Sequence, residues 1–445
     1  MRSPSRPISS LLGAALLASA LVAPALVALP AQAAERSGRE VTTYLTIEGR
    51  RVVSIDVEGS DTAVSTAGDA TFTNGSVALT EGGQPVGAFA TKAIVVIPDN
   101  AGRERRDTTV EVSMPTGALF AQQIQDDPTG RPPDRSSEMV VLGGTGAFRN
   151  ARGVVSIAPT GAQGLKLVWK LAPEIGIDPE SATTIAFERI VDADVSGQAS
   201  NERNTLTQDG SQGTLRLPGK DGRFTCGDTR LAQTIPGGIG LNAWLCRYDL
   251  PLGSVLVAAF SQYRGGTQAP TKFTDIVLGG TGAYAGAQGE AITDCTSETS
   301  ADVTLRLLQA TGQPPVPVKF NQARTYKTFG GLDFADDSII YAGATASQFA
   351  RGTKRSVGTS QSLYATSLDL PPAAEYFRSF GVVSFDLKGG TIRAVSYDEG
   401  PDPSIEKTRT LVITGGTGSY LGATGTIGLI PGKGTNQRMV VRLAQ

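Results

Sequence analysis

The feature that most constrains the fold of this chain is an eleven-residue pattern that occurs three times at a constant spacing. The copies begin at Gly143, Gly279 and Gly415, separated by two intervals of 136 residues. They read GGTGAFRNARG, GGTGAYAGAQG and GGTGSYLGATG. Because a long, fixed period is typical of whole domains in tandem, the pattern predicts three similar domains rather than a solenoid of short units.

The domain boundaries are expected where proline and polar residues collect. The stretches APEIGIDPES and QATGQPPVPV are of this kind. We therefore place the three repeats at residues 38–173, 183–308 and 318–445, after a signal segment at 1–33.

Each repeat has the composition of short β-strands. Segments such as AIVVIP, TTVEVSMP and LKLVWKL are rich in β-branched residues and are bounded by turn residues. About eight strands fit in each repeat, and a closed barrel leaves no exposed edge. The sequence predicts an all-β protein of three tandem eight-stranded antiparallel β-barrels, packed together as an intramolecular pseudo-trimer. Side chains fill the interior of a barrel of this size, or it holds one small ligand.

The glycines of the pattern resemble a nucleotide-binding fingerprint, but their context favours a turn. A fingerprint needs a helix after the glycines and an acidic residue about 20 residues later. In repeat 1 the β-branched segment VVSIAP follows at once, and no Asp or Glu lies between Arg152 and Glu174. We expect a turn between two strands, with Phe148, Tyr284 and Tyr420 closing one end of each barrel. The residues assigned to this structural motif are Gly143, Gly144, Thr145, Gly146, Gly279, Gly280, Thr281, Gly282, Gly415, Gly416, Thr417 and Gly418.

Set between two late strands, the pattern G-G-T-G-x-[FY]-x-x-A-x-G resembles the signature of allene oxide cyclase barrel-like proteins and of the related dirigent proteins. The resemblance implies eight-stranded barrels that commonly assemble as trimers and that need neither a metal nor an organic cofactor. It also implies an apolar small-molecule ligand whose cyclisation, isomerisation or coupling is guided by confinement. Fusion of three barrels departs from the usual single-barrel subunit and favours a monomer.

The composition excludes several kinds of site. The chain contains no histidine and three cysteines, so a Ser-His-Asp triad, a His-ligated metal and a four-cysteine metal site are ruled out. With 40 Lys+Arg against 42 Asp+Glu, the net charge of −2 gives no electrostatic attraction to the phosphates of nucleic acid.

The N-terminus has the pattern of a secretory signal peptide. Two arginines precede a long apolar run, and AQA at 31–33 supplies small residues for cleavage. A membrane anchor is the alternative, although Pro24 and Pro30 interrupt the run. We expect a secreted, extracellular protein that starts near Ala34 and has no membrane segment after cleavage.

Cys226 and Cys246 are predicted to form a disulfide. They are equidistant from Pro236–Gly237, which is typical of a hairpin turn, so they would face each other across antiparallel strands. Cys295 is then the free thiol, and Cys246–Cys295 is the alternative pairing.

Repeat 1 carries the candidate catalytic and binding residues. Asp107 and Glu111 lie on one face of a strand, and Val110 and Val112 lie on the other face of the same strand. If the face of Asp107 and Glu111 points into the barrel, Glu111 is a candidate acid or base; if it points outward, Glu111 is solvated or covered by a neighbouring barrel. Arg149 and Arg152 are candidate ligand-binding cations at the barrel mouth, or else solvated loop residues.

At the same spacing the other repeats lack this combination of charges. Repeat 2 has Ala243, Arg247, Ala285 and Gln288, and repeat 3 has Ser379, Val383, Leu421 and Thr424. Two functions remain open. One is a secreted, cofactor-independent barrel that guides a reaction of an apolar small molecule. The other is a non-catalytic binding or cell-envelope module with solid barrels.

Overall fold

The structure of the 445-residue protein is a computed structural model. It describes residues 39–53, 70–97, 103–128, 136–161, 163–172, 183–200, 204–233, 239–264, 271–297, 299–308, 316–322, 327–333, 339–350, 356–367, 377–400, 408–431 and 437–444. The expected signal segment at 1–33 and the expected turn at Pro236–Gly237 lie outside these residues.

Barrel 1 is a closed ring of eight antiparallel strands. Each strand pairs with the next along the chain, and the last pairs with the first. The strands are β1 (Arg39–Val53), β2 (Ala70–Ala78), β3 (Gly87–Ile97), β4 (Arg103–Met114), β5 (Gly117–Pro128), β6 (Ser137–Gly144), β7 (Gly153–Pro159) and β8 (Gly164–Leu171).

Barrel 2 repeats this topology, and its ring closes where its first strand pairs with its last. The strands are β9 (Thr183–Ser200), β10 (Asn204–Arg216), β11 (Gly222–Gln233), β12 (Ile239–Leu250), β13 (Gly253–Arg264), β14 (Lys272–Gly280), β15 (Gln288–Cys295) and β16 (Ser300–Leu308).

Barrel 3 is a single sheet of nine strands whose first strand is divided in two. The strands are β17 (Val316–Gln322), β18 (Lys327–Asp333), β19 (Ile339–Ala350), β20 (Ser356–Ser367), β21 (Phe377–Leu387), β22 (Gly390–Gly400), β23 (Arg409–Gly416), β24 (Thr424–Pro431) and β25 (Gln437–Ala444). The order runs β17-β25-β24-β23-β22-β21-β20-β19-β18. An additional pairing of β17 with β19 brings the two ends of this sheet together. The prediction of three tandem all-β barrels is confirmed, and the described residues contain no helix longer than a 3₁₀ turn.

The two faces of each strand serve different cores. Because successive side chains of a strand point to opposite sides, alternate residues enter the barrel and the others face outward. The inward residues of barrel 1 include Val110, Val112, Leu119 and Trp169, all at most 2% exposed. Barrels 2 and 3 have interior clusters of the same kind.

The outward faces of the three barrels share a fourth core, which we call the central cluster. It explains why the outer faces of these strands are also apolar. Its buried members are Ala70, Phe72, Ala90, Ile94, Val96, Ala118, Phe120 and Leu142 from barrel 1, Ala243, Leu256, Ile276 and Leu278 from barrel 2, and Val395 and Val412 from barrel 3.

The first glycine of each motif copy lets neighbouring barrels approach closely. A Cβ on Gly143 would crowd Ile276 of barrel 2, and one on Gly279 would collide with Val412 of barrel 3. A Cβ on Gly415 would in turn collide with Val140 of barrel 1. The contacts run from barrel 1 to 2, 2 to 3 and 3 to 1, which is the closed pattern of a trimer with pseudo-threefold symmetry.

The rest of the motif forms a tight turn rather than a helix opening. Its third glycine has φ values of 57°, 59° and 58° at Gly146, Gly282 and Gly418, where an L side chain is strained. The motif threonine fastens the turn by accepting a backbone N–H bond from an adjacent strand. These bonds are Ala118 N to Thr145 Oγ1 at 3.1 Å, Ser254 N to Thr281 Oγ1 at 3.1 Å and Thr391 N to Thr417 Oγ1 at 3.0 Å.

The predicted disulfide is present: Cys226 on β11 is bonded to Cys246 directly opposite on β12. Both residues are buried inside barrel 2, and Cys295 is a half-buried free thiol. We expect Cys226→Ser with Cys246→Ser to lower the free energy of unfolding by about 2–4 kcal/mol, because the bond restricts the unfolded chain. Guanidinium unfolding measures this effect, with Cys295→Ser as the matched control. A double variant as stable as the wild type would contradict it.

Candidate functional site: the interior of barrel 1

The four charged residues that the sequence singled out lie outside the interior of barrel 1. Val110 and Val112 pack inside the barrel, so strand alternation places Asp107 and Glu111 on its outer face. That face is covered by the neighbouring barrels. The structure therefore does not bring these four residues together inside barrel 1; other residues line its interior, as described below.

Asp107 joins barrel 1 to barrel 3. Its Oδ1 accepts a hydrogen bond from Arg393 Nη2 at 2.9 Å, and its Oδ2 accepts one from Gln122 Nε2 at 2.9 Å. The side chains of Arg393 and Asp107 are only 2% and 5% exposed. Burial lowers the pKa of Arg393, and the charge of Asp107 opposes that change. This carboxylate is committed to a contact between barrels.

Glu111 lies near the boundary with barrel 2. It accepts a hydrogen bond from Ser113 Oγ at 2.5 Å. Burial raises the pKa of Glu111 to about 8, against the lowering effect of Ser113; the charge of Asp275 in barrel 2 contributes to the rise. Glu111 is therefore protonated at neutral pH, and its pKa makes the stability of the fold sensitive to pH.

Arg149 and Arg152 join barrel 1 to barrel 2. Arg149 Nη2 pairs with Glu290 Oε1 at 2.8 Å. Arg152 donates to the carbonyl oxygens of Leu142, of Ala151 at 3.0 Å and of Val277 at 3.2 Å. Burial lowers the pKa of Arg152 to about 10. Both guanidinium groups are thus engaged in contacts with barrel 2, Arg152 buried and Arg149 partly exposed.

The residues of repeat 3 that the sequence matched to Asp107 and Glu111 are each wrong by one position. Asp249 lies opposite Ser254 and Ser113 lies opposite Ala118, but the matching pair in barrel 3 is Asp386 and Thr391. The counterparts of Asp107 and Glu111 are therefore Phe380 and Ser384, rather than Ser379 and Val383. Because a shift of one residue moves a side chain to the other face, Val383 points inward and Phe380 packs on the central cluster.

Barrel 1 has a cavity in its interior. The space that the centre of a water molecule can reach in this cavity is about 60 Å³, and the cavity opens to solvent. Its apolar lining is formed mainly by Leu45, Val110, Met139, Ile157, Leu165 and Leu167. Its polar lining includes Thr91, Arg106, Thr108, Gln123, Gln125 and Asp127. Apolar walls with a few convergent polar groups are typical of small-molecule sites.

The polar lining comes from two paired strands. On β4 the inward residues continue from Val110 through Thr108 and Arg106 to Glu104, and on β5 from Ala121 through Gln123 and Gln125 to Asp127. The cavity is therefore apolar at one end and polar at the other.

Hydrogen bonds hold this polar end in place. Arg106 donates to Glu104, and Gln125 Nε2 donates to both carboxylate oxygens of Asp127 at 2.9 Å. Gln123 Nε2 donates to the side-chain oxygen Oε1 of Gln125 and, at 3.2 Å, to Ser137 Oγ. Glu104, Arg106 and Asp127 are only 3–4% exposed. Buried charges that are paired in this way are rigid enough to orient a ligand.

Two polar atoms at this end have hydrogen-bonding capacity to spare. Glu104 Oε2 and Thr108 Oγ1 are buried without a hydrogen-bond partner. Such atoms cost free energy unless water or a ligand satisfies them. A ligand hydroxyl or amine in the cavity could bond Thr108 Oγ1, while its apolar part packs against Met139 and Leu167.

Known proteins add little about the chemistry. The sequence matches no protein-family model and no curated protein. Among solved structures, one titled "Pyocyanin demethylase" is similar at 16% sequence identity, over 30% of this chain and 99% of that chain, with a TM-score of 0.25. A likeness this low carries no argument about the ligand or reaction of this protein.

The described residues contain neither a metal-binding cluster nor a membrane-spanning helix. In that part of the chain, no group of three or more Cys, Asp or Glu side chains is placed to hold a metal ion. No helix there is long and apolar enough to cross a membrane.

Proposed function

We propose that barrel 1 binds a small amphipathic molecule in its interior. The observation that carries this proposal is the cavity whose lining changes from apolar at Met139 and Leu167 to polar at Arg106 and Asp127. A ligand with an apolar body and one polar end would match both halves. Each 100 Å² of apolar ligand surface removed from water would contribute about 2.5 kcal/mol of favourable transfer free energy.

The reaction that this cavity favours is guided by confinement. A reactive apolar molecule held in one conformation cyclises, isomerises or couples with fewer alternative outcomes. The fixed charges of Arg106, Glu104 and Asp127 would stabilise charge that develops at the polar end of such a molecule. The resemblance of the repeated motif to allene oxide cyclase barrel-like and dirigent proteins supports the same chemistry, which uses no cofactor. The measurable consequence is an excess of one product enantiomer.

Export of the protein is part of this proposal. The Cys226–Cys246 disulfide supports an oxidising compartment, because such bonds are rare where glutathione and thioredoxin keep thiols reduced. The pattern of residues 1–33 supports cleavage near Ala34.

The binding proposal is tested by filling the cavity. Trp244 occupies in barrel 2 the position that Thr108 occupies in barrel 1, so the fold already accepts tryptophan at this register. We expect Thr108→Trp to weaken the binding of 1-naphthol, a small amphipathic probe, by at least about tenfold, because the indole ring would occupy the space. Isothermal titration calorimetry at fixed pH and salt measures the dissociation constant.

The matched control is Lys170→Trp, which adds a tryptophan on the exposed outer face of β8. This variant should bind 1-naphthol as the wild type does. Equal affinity in Thr108→Trp and Lys170→Trp would place the probe outside the cavity. No saturable binding to the wild type would favour a structural module.

A further inference from the structure

The interior of barrel 2 differs from that of barrel 1 in the layer that forms the apolar wall of the cavity. Met139 lies opposite Val155, and its counterpart Asp275 lies opposite Ala291. Leu45 lies opposite Leu165, and its counterpart Arg189 lies opposite Ala301. Two positions that are apolar in the wall of barrel 1 are thus occupied in barrel 2 by a carboxyl group and a guanidinium group.

Both charged side chains point into the barrel, where Asp275 is buried and Arg189 is half-buried. Asp275 is 1% exposed and precedes Val277 on the inward face of β14. Arg189 lies between the inward residues Phe187 and Val191 on β9. Tyr248 is fully buried in the same interior, where its ring meets that of Phe187 edge-on with centroids 5.2 Å apart.

Aromatic residues border this polar group. Trp244 and Phe273 pack edge to face with ring centroids 4.9 Å apart, at the positions of Thr108 and Ser137 in barrel 1. The guanidinium of Arg189 lies over the ring of Phe224, 5.4 Å from its centroid. The two barrels therefore have opposite polarity: a polar end next to an apolar wall in barrel 1, and a polar wall next to aromatic rings in barrel 2.

Several of the buried polar atoms lack partners. Asp275 Oδ1, Arg189 Nε and the Tyr248 hydroxyl make no hydrogen bond of ordinary length and angle within the described chain. No direct ion pair joins Arg189 to Asp275, although the charge of Arg189 influences the pKa of Asp275, of Tyr248 and of Cys295. Arg189 lies within hydrogen-bonding reach of Tyr248 and donates to Cys226 Sγ at 3.9 Å. Asp275 Oδ1, Arg189 Nε and the Tyr248 hydroxyl nevertheless keep capacity for a further bond.

We propose that the interior of barrel 2 binds a small monocarboxylate, with Arg189 as its counter-ion and Tyr248 and protonated Asp275 as its hydrogen-bond donors. Guanidinium groups match the geometry of a carboxylate, and a single cation compensates a single negative charge. A dianion such as phosphate would leave one charge uncompensated in an apolar barrel. This site is independent of the ligand proposed for barrel 1.

The proposal has a defined pH dependence. Burial raises the pKa of Asp275 to about 7, while the charge of Arg189 and hydrogen bonding from Trp244 oppose the rise. When Asp275 is ionised, it compensates Arg189 itself and repels an incoming carboxylate. When it is protonated, the positive charge of Arg189 is left for the ligand. The other titratable groups that act on this site are Tyr248, Cys295 and, from barrel 1, Glu111.

Titration with sodium acetate tests the proposal, with sodium chloride as the control for ionic strength. We expect saturable binding that is about tenfold tighter at pH 6 than at pH 8, with uptake of one proton at pH 8. Asp275→Asn should bind acetate with the same affinity at both pH values. Arg189→Gln should abolish binding, and Tyr248→Phe should weaken it several-fold. Arg223→Gln, an exposed arginine on the same barrel, should change nothing.

Two further measurements keep the result interpretable. Because Glu111 also titrates near this range, Glu111→Gln must retain the pH dependence. If Arg189→Gln does not fold, the nearly isosteric Asp275→Asn variant decides the question. Binding that is equal at the two pH values in the wild type, or unchanged pH dependence in Asp275→Asn, would overturn the proposal. So would a crystal structure in saturating acetate that contains only water between Arg189 and Asp275.

Discussion

Asp107→Ala or Arg393→Leu alone is expected to lower the free energy of unfolding by about 3–5 kcal/mol, whereas the double variant should regain most of that loss. Each single change leaves one buried charge without its partner, which is the costly situation for an ion pair. The double change removes both charges. It installs the residues that barrel 2 has at the same positions, Ala243 and Leu256, both members of the central cluster.

A double-mutant cycle in guanidinium measures this effect, because the two side chains form one interaction. The matched control is Arg247→Leu with Asp249→Ala, which removes an ion pair with side chains 28% and 35% exposed and should cost about 1 kcal/mol or less. Additive losses in the Asp107 and Arg393 variants would contradict the account of this pair.

Glu111→Gln is expected to make the protein more stable than the wild type at high pH and equally stable at low pH. The pKa of this carboxyl is raised from 4.5 to about 8 in the folded protein. The folded state therefore binds the proton more tightly than the unfolded state does, and stability falls as the pH rises from about 4.5 to 8. Glutamine stays neutral and avoids this loss, so the difference at pH 9 should be on the order of a few kcal/mol.

Chemical unfolding of both proteins between pH 4 and pH 9 gives the difference directly. Glu138→Gln, which removes an exposed carboxylate from β6 of the same barrel, is the control for a simple change of net charge. Two parallel stability profiles for wild type and Glu111→Gln would show that this carboxyl titrates alike in the folded and unfolded chains.

The sequence predicted the barrels and the disulfide because both depend on local periodicity. Alternating β-branched segments define strands, and Cys226 and Cys246 are equidistant from a turn, which places them opposite each other on β11 and β12. The motif could be predicted to form a turn for the same reason, because β-branched residues follow Gly153 immediately. These inferences need only the chain near each residue.

The candidate site depends on which strand face points inward, and alternation alone does not give that direction. Both faces of β4 are covered, one by the interior of barrel 1 and the other by neighbouring barrels, so Asp107 and Glu111 are polar residues at a contact between barrels. Val110 and Val112 could have indicated the inward face of β4. Every second residue before them, Thr108, Arg106 and Glu104, lies on the same face.

The sequence comparison also assigned the wrong register to repeat 3. Gly253 and Gly390 begin equivalent strands 137 residues apart, although the motif glycines Gly279 and Gly415 are 136 apart. A constant interval taken from the motif therefore assigns β21 to the wrong face. The contact of Arg393 with Asp107, which lies far along the chain, becomes visible only when the barrels are packed together.

The most direct test of the central claim is a crystal structure of the protein grown with 1-naphthol at a saturating concentration. We predict electron density for the probe inside barrel 1, with its rings between Met139 and Leu167 and its hydroxyl within hydrogen-bond distance of Thr108. The same crystals of Thr108→Trp should lack that density. A wild-type interior that contains only water, with the probe bound elsewhere, would contradict the claim that barrel 1 is the binding site.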